Sequence, residues 1–206
     1  MKTYPSIPSK IPTNGEYIAF AKIDGSNIRA EWSKKTGFYK FGTRTRLLGE
    51  DQPQLTPSRD LIMDRYADEL EYRFNNAKYD RAVCYFEYAG PNSFAGFHSE
   101  TDIENGLMNA TLFDIAPYKK GFMGPVQFID FCSGLPIPAV LFRGDMNEEF
   151  VEDVRQGMFI DHAFEGVILK EVKEKHFKAA KIKTIQWLDK LKLHCGQDDK
   201  MFERLK

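Results

Sequence analysis

The stretch that most constrains this chain is Lys22-Ile23-Asp24-Gly25-Ser26-Asn27. An apolar run over residues 17–21 carries the backbone into it, and an alternating run over 28–32 carries the backbone out. Both runs read as strands, with Asp24-Gly25 as the turn between them. This arrangement sets Lys22 at the rim of a sheet, pointing into whatever the sheet encloses. Taken alone, the same residues also describe a surface hairpin with a solvated lysine, so the weight falls on residues further down the chain.

Composition narrows the class. The chain has 206 residues, enough for one sizeable core or two small ones. Hydrophobic residues make up 42% and aromatic residues 14%, which predicts a packed globular protein. The formal net charge of -1 excludes a global basic field, so any nucleic-acid contact must use a local basic face. Cys84, Cys132 and Cys195 are widely spaced and odd in number, which predicts reduced thiols in a cytoplasmic setting. The proline-rich N-terminus is no signal peptide, and no run reaches the length of a membrane span. His98, His162, His176 and His194 make no metal-ligand spacing, and no P-loop or serine-hydrolase pattern is present.

Read in order, the chain predicts strands over 17–22, 28–32, 38–41, 82–88, 108–115, 139–142, 164–171 and 177–183. Ile62, Tyr66, Leu70 and Phe74 recur at four-residue spacing, so 59–74 reads as an amphipathic helix with Ser58 as its N-cap. Asn147 caps a second helix carrying Phe150, Val151 and Val154, and shorter helices are expected over 126–132 and 185–193. The polar segment 90–106 has the length of a functional lid or mobile loop. There is no repeat and no interdomain linker, so residues 1–206 are expected to form a single α+β domain of mainly antiparallel sheets flanked by helices.

The residue types suggest chemistry. A lysine with a pKa of about 10.4 costs roughly 4.6 kcal/mol to hold neutral at pH 7, so a nucleophilic lysine needs nearby positive charge or burial. Lys181 and Lys183, two apart on one strand, point to the same face and supply positive charge, with Lys170 on the preceding strand able to join them. An edge strand with solvated lysines reads the same way. Glu87 and Glu165 each stand at a strand end beside a glycine-containing turn, where a carboxylate can meet a hard cation or simply face solvent. Arg44 and Arg46 fall on one side if the third strand continues, and a guanidinium there can hold phosphate. Phe113 fits either a core or a stacking platform for a purine base. Lys173, Lys175, Lys178, Lys190 and Lys192 describe a solvated face or a guide for an RNA backbone.

In order along the chain, Lys22-Ile23-Asp24-Gly25 resembles motif I of the covalent nucleotidyltransferases: DNA ligases, RNA ligases and mRNA capping enzymes. Thr43-Arg44-Thr45 is similar to their arginine motif, Phe86-Glu87-Tyr88-Ala89-Gly90 to motif III, and Leu112-Phe113-Asp114-Ile115 to motif IIIa. Glu165-Gly166-Val167-Ile168-Leu169-Lys170 resembles motif IV and Lys181-Ile182-Lys183 motif V, while Ser26-Asn27 favours the RNA ligases. The resemblance implies a ligase-type adenylation domain that joins 5′-phosphate and 3′-hydroxyl RNA ends. It implies ATP and Mg²⁺ or Mn²⁺ as cofactors and a lysyl-AMP on Lys22, with Lys181 and Lys183 assisting. It further implies nucleotide contacts from Asp24, Gly25, Asn27, Arg44, Glu87, Phe113, Glu165, Lys181 and Lys183, with Glu165 and Glu87 toward the metal. A DNA ligase or a capping-type guanylyltransferase is the alternative within the superfamily, and a non-catalytic RNA-end-binding module is the alternative outside enzymes. Many relatives carry an OB-fold after motif V. The short stretch after Lys183 leaves no room for one, so a bare catalytic domain is expected, with a possible protein partner in place of the missing domain.

Overall fold

The structure, a computed structural model, describes residues 2–49, 51–173 and 178–206. In chain order the elements are β1 (Glu16–Ala21), β2 (Ser26–Ser33), β3 (Gly37–Thr43), α1 (Pro57–Asn76), β4 (Arg81–Ala89), α2 (Glu100–Glu104) and β5 (Asn109–Pro117). Next come α3 (Pro125–Phe131), β6 (Val140–Asp145), α4 (Glu148–Arg155), β7 (Gly166–Glu171), β8 (Ala179–Lys183), α5 (Ile185–Cys195) and α6 (Asp199–Leu205). They group into two compact units, one of Met1–Pro5 with Asp24–Ile137 and one of Ser6–Ile23 with Pro138–Lys206. Each unit holds one four-stranded sheet whose paired strands run antiparallel, the α+β composition that the sequence predicts.

The expected hairpin across Asp24-Gly25 is not formed. β1 pairs with β6 and β7, whereas β2 pairs with β3 and β4. A tight glycine turn is a local signal, but strand partners are chosen by which apolar faces can be buried. Gly25 answers a different constraint: a Cβ there would lie 2.4 Å from the Tyr88 carbonyl oxygen on β4.

In the first unit the sheet order is β3-β2-β4-β5. Alternation along β2 buries Ile28, Ala30 and Trp32 on one face and turns Asn27, Arg29 and Glu31 to the other. The 20-residue α1 covers the apolar face through Ile62, Tyr66, Leu70 and Phe74, the four residues its spacing singles out. Phe74 lies 4.9 Å from the Trp32 ring and Tyr66 5.1 Å from Phe86. The Tyr66 hydroxyl is set between the carbonyls of Ala110 and Pro136, at 2.8 and 2.9 Å. Ser58 is not the N-cap. Thr56 holds that position, Pro57 opens the helix without needing an N–H partner, and Ser58 donates to the Leu55 carbonyl at 2.6 Å.

In the second unit the order is β6-β1-β7-β8. Tyr17, Ala19, Ala21, Val167, Leu169, Ala180 and Ile182 form one buried face, packed by Phe150, Val151 and Val154 of α4. Asn147 caps α4 as expected, accepting from the Phe150 N–H at 2.8 Å. The predicted start of the last strand at Phe177 lies outside the described residues. The tail forms two helices rather than one: Gly196 stops α5 at φ 57°, and Asp198 caps α6 by accepting from the Met201 N–H at 2.9 Å. The three cysteines are buried and form no disulfide among the described residues. Among the described residues no helix is long and apolar enough to cross a membrane.

Gly166 is the tightest point of this sheet. It sits at φ 135°, directly opposite Lys183, and a Cβ there would lie 2.0 Å from the Ile182 carbonyl oxygen. Gly166→Ala is expected to destabilise the protein by roughly 1–3 kcal/mol by forcing β8 away from β7. A urea-unfolding midpoint equal to that of the unsubstituted protein would contradict this register.

Candidate active site

The Lys22 N–H donates to the Gly166 carbonyl at 2.9 Å, extending the β1–β7 ladder by one residue. That bond sets the Lys22 side chain beside Glu165, the residue just before β7. Lys22 Nζ lies 2.6 Å from Glu165 Oε2, and Lys183 Nζ lies 2.8 Å from Glu165 Oε1. One carboxylate, 4% exposed, thus bridges two ammonium groups. Strand alternation explains the convergence. Ile18 and Phe20 of β1, Ile168 and Lys170 of β7, and Lys181 and Lys183 of β8 share the face opposite the α4 core. Lys170 joins that face, its ammonium 5.2 Å from the centre of the Phe20 ring.

Lys183 is the strained charge of this group. Burial pushes its pKa down to about 8, with Lys22 and Lys181 pushing the same way and Glu165 opposing them. Its ammonium lies 3.5 Å from the centre of the buried Trp187 ring and 3.5 Å from the Leu205 carbonyl. Lys181 Nζ donates to the Lys206 carbonyl at 2.8 Å. Carbonyls at the C-terminal end of α6, the negative end of its dipole, therefore meet both lysines of the predicted pair. In the predicted basic cluster, Lys178 is paired to Glu171 at 3.3 Å and Lys190 stands over Phe164 at 5.4 Å, while Lys175 lies outside the described residues.

The remaining predicted residues belong to the first unit. Asn27, Glu87 and Thr111 form one row across β2, β4 and β5, on the face opposite α1. Asn27 Oδ1 is buried and meets no hydrogen-bond donor among the described residues, which leaves an acceptor for a ligand to satisfy. Phe113, half-buried, meets the Tyr4 ring edge-on at 4.9 Å, and Tyr4 donates to Asp114 at 3.0 Å. Arg44 is exposed just past the end of β3. The strand does not continue through it. A turn closed by the Gly42–Leu47 bridge takes over, so strand alternation does not relate Arg44 to Arg46.

The segment read as a lid is tied to the motif. The Ala95 N–H donates to Asp24 Oδ2 at 2.9 Å. His98 links Ser26 and Ser93, with 2.9 Å at each ring nitrogen, and burial pushes its pKa down against the opposing charge of Asp102. A neutral imidazole has one donor and one acceptor nitrogen, which two hydroxyls can match. Asn92 donates twice to Asp102, at 2.8 and 2.7 Å. Sequence reasoning misses His98, Ser93, Asp102, Tyr4 and Trp187. Only the helix-favouring Ser99-Glu100 pair hints that this loop is structured.

Among the described residues no group of three or more carboxylate, imidazole or thiol side chains converges. A single buried carboxylate beside a lysine suits a hard divalent cation held mainly by substrate phosphates and water.

Comparison with known proteins bears on this geometry. No protein-family model and no curated protein matches the chain. Among solved structures it is similar to an archaeal ATP-dependent RNA ligase, at 15% identity and a TM-score of 0.66 over 95% of this chain and 52% of that one. It is also similar to the RNA ligase of Naegleria gruberi. Variants of that enzyme with ATP and manganese, and with AMP and manganese, each match at 14% identity and a TM-score of 0.61, over 85% of this chain and 52% of theirs. The chain spans about half the length of these ligases. The likeness is one of fold: the chain shares the fold of part of these RNA ligases, in line with the fold that the motif resemblance implies.

The lowered pKa of Lys183 has a signed consequence for stability. Because its folded value of about 8 lies below the ordinary 10.5, the unfolded chain holds this proton more tightly. The penalty is complete below pH 8 and is relieved as pH rises toward 10.5. Relative to Lys183→Met, the unsubstituted protein should gain stability between about pH 8 and pH 10 in denaturant titrations. A pH-independent difference would refute the shift.

Proposed function

We propose that this chain carries the adenylylating centre of an ATP-dependent RNA ligase and that residues 1–206 act as one nucleotidyltransferase domain. The observation that carries this reading is the Glu165 carboxylate bridging Lys22 and Lys183. Lys22 is the nucleophile. Its neutral amine attacks the α-phosphorus of ATP, the N–P bond forms, the bond to the β-phosphate oxygen breaks, and pyrophosphate leaves. The AMP then passes to the 5′-phosphate of an RNA end, and a 3′-hydroxyl displaces it to seal the strand. In the resting geometry Glu165 favours the protonated Lys22, so attack requires that ion pair to open and the ammonium proton to be lost to water. Lys183 and Lys181 face the same side and are suited to hold phosphate oxygens. Asp24, Gly25, Asn27, Arg44, Glu87 and Phe113 are proposed nucleotide contacts on the motif resemblance, supported for Asn27 by its unsatisfied acceptor. Mg²⁺ or Mn²⁺, when bound near Glu165, with Glu87 as the second proposed carboxylate, would neutralise charge building on the phosphates.

Incubation with α-labelled ATP should leave label on the protein, and Lys22→Ala and Lys22→Arg should each abolish it, since an arginine stays protonated at any working pH. Label from GTP alone would favour a capping-type enzyme, ligation of DNA but not RNA ends a DNA ligase, and no label with either nucleotide a binding module. An adduct mapped to another lysine would remove Lys22 from the role.

Chelation by EDTA should stop adduct formation, and Glu165→Ala should raise the divalent cation concentration needed to restore it. An unchanged metal titration in that variant would take Glu165 out of the metal's surroundings.

A further inference from the structure

We propose that Trp187 is a positioning residue, holding Lys183 in place while its charged partner changes from Glu165 to substrate phosphate. The identity of that phosphate rests on the ligase reading above. The geometry begins in the turn between β8 and α5. Thr184 donates from Oγ1 to the Phe164 carbonyl at 2.7 Å, and its N–H donates to the Glu165 carbonyl at 3.2 Å. The same Oγ1 accepts from the Trp187 N–H at 3.1 Å, capping α5. One threonine therefore fixes the backbone of Glu165 and the first turn of α5 together. In that first turn Trp187 is carried under β8, with its ring fully buried and its centre 3.5 Å from Lys183 Nζ.

The chemistry of the three neighbours of Lys183 differs. Glu165 and the Leu205 carbonyl are hydrogen-bond acceptors that an incoming phosphate would replace. The indole face attracts the ammonium through its quadrupole and uses none of the three N–H donors. It can stay in contact throughout such an exchange. A lysine stem is flexible, and fixing it in advance lowers the entropy lost when the anion arrives.

Two experiments decide the matter. The first uses the unsubstituted protein, which has two tryptophans, Trp32 and Trp187. In a ¹⁵N-labelled sample the Trp187 indole N–H resonance, assigned with Trp187→Phe, should move on titration with inorganic pyrophosphate while that of Trp32 stays. The second is a double-mutant cycle on adduct formation. Trp187→Leu should raise the KM for ATP roughly tenfold with kcat changed less than about threefold, and Trp187→Phe should restore most of the loss. In the Lys183→Met background, Trp187→Leu should add less than about a twofold further loss, because the ring acts through Lys183. A full additional loss in that background would show a merely structural role and overturn the proposal, as would an unmoved Trp187 resonance. If Trp187→Leu fails to fold, the indole titration and Trp187→Phe still decide. An unsubstituted protein that forms no adduct but shows the indole shift would overturn the ligase reading and leave the role of Trp187 standing.

Discussion

The ion triad Lys22–Glu165–Lys183 is the interaction on which the second unit depends. A carboxylate this buried is tolerated only when paired, and removing one partner of such a group costs about 3–5 kcal/mol. Its geometry is set by backbone rather than by side-chain reach. Lys22 is fixed by its bond to the Gly166 carbonyl, Lys183 by direct pairing with Gly166, and Glu165 by the Thr184 N–H. Gly166 allows this because β7 and β8 approach too closely there for any Cβ. The glycine beside the bridging carboxylate is thus a condition for bringing three charges to one point.

Both units use the same device to separate packing from chemistry. In each sheet one face is apolar and covered by a helix, α1 in the first unit and α4 in the second. The opposite face carries the residues suited to chemistry: Asn27, Glu87 and Phe113 in one sheet, and Lys170, Lys181 and Lys183 in the other. Period-two alternation makes the division unavoidable once the apolar face is fixed, because a one-residue slip would bury the charges and expose the core.

That same alternation explains what can be read from the sequence. The shared face of Lys181 and Lys183 follows from spacing alone, and the apolar stripe of α1 follows from its four-residue repeat. Asn147 as a cap is equally local. The failures share a non-local cause. Asp24-Gly25 looks like a hairpin turn, yet β1 and β2 bury their faces in different sheets. Trp187 is not singled out by the sequence, because nothing local says that its ring ends beside a lysine four positions earlier. His98 lies 72 residues from Ser26 in sequence, and the hydrogen bond between them has no trace in composition. Arg44 and Arg46 would share a side only if the third strand continued, and the Gly42–Leu47 bridge takes over where that strand ends at Thr43.

The distribution of charge bears on what the lysine face can hold. The whole chain carries a formal charge of -1, so there is no global basic field, and Lys22 and Lys183 bring positive charge together locally around Glu165. At physiological ionic strength exposed charges are screened beyond about 8 Å, while buried ones are screened far less. A small partly buried group of ammoniums therefore acts strongly on an anion that can enter among them and weakly on a backbone passing over the surface. A triphosphate or a terminal 5′-phosphate concentrates several negative charges within such a distance, whereas a continuous strand spreads one charge per nucleotide. On the ligase reading proposed above, such an arrangement would favour a phosphate terminus over a continuous nucleic-acid strand.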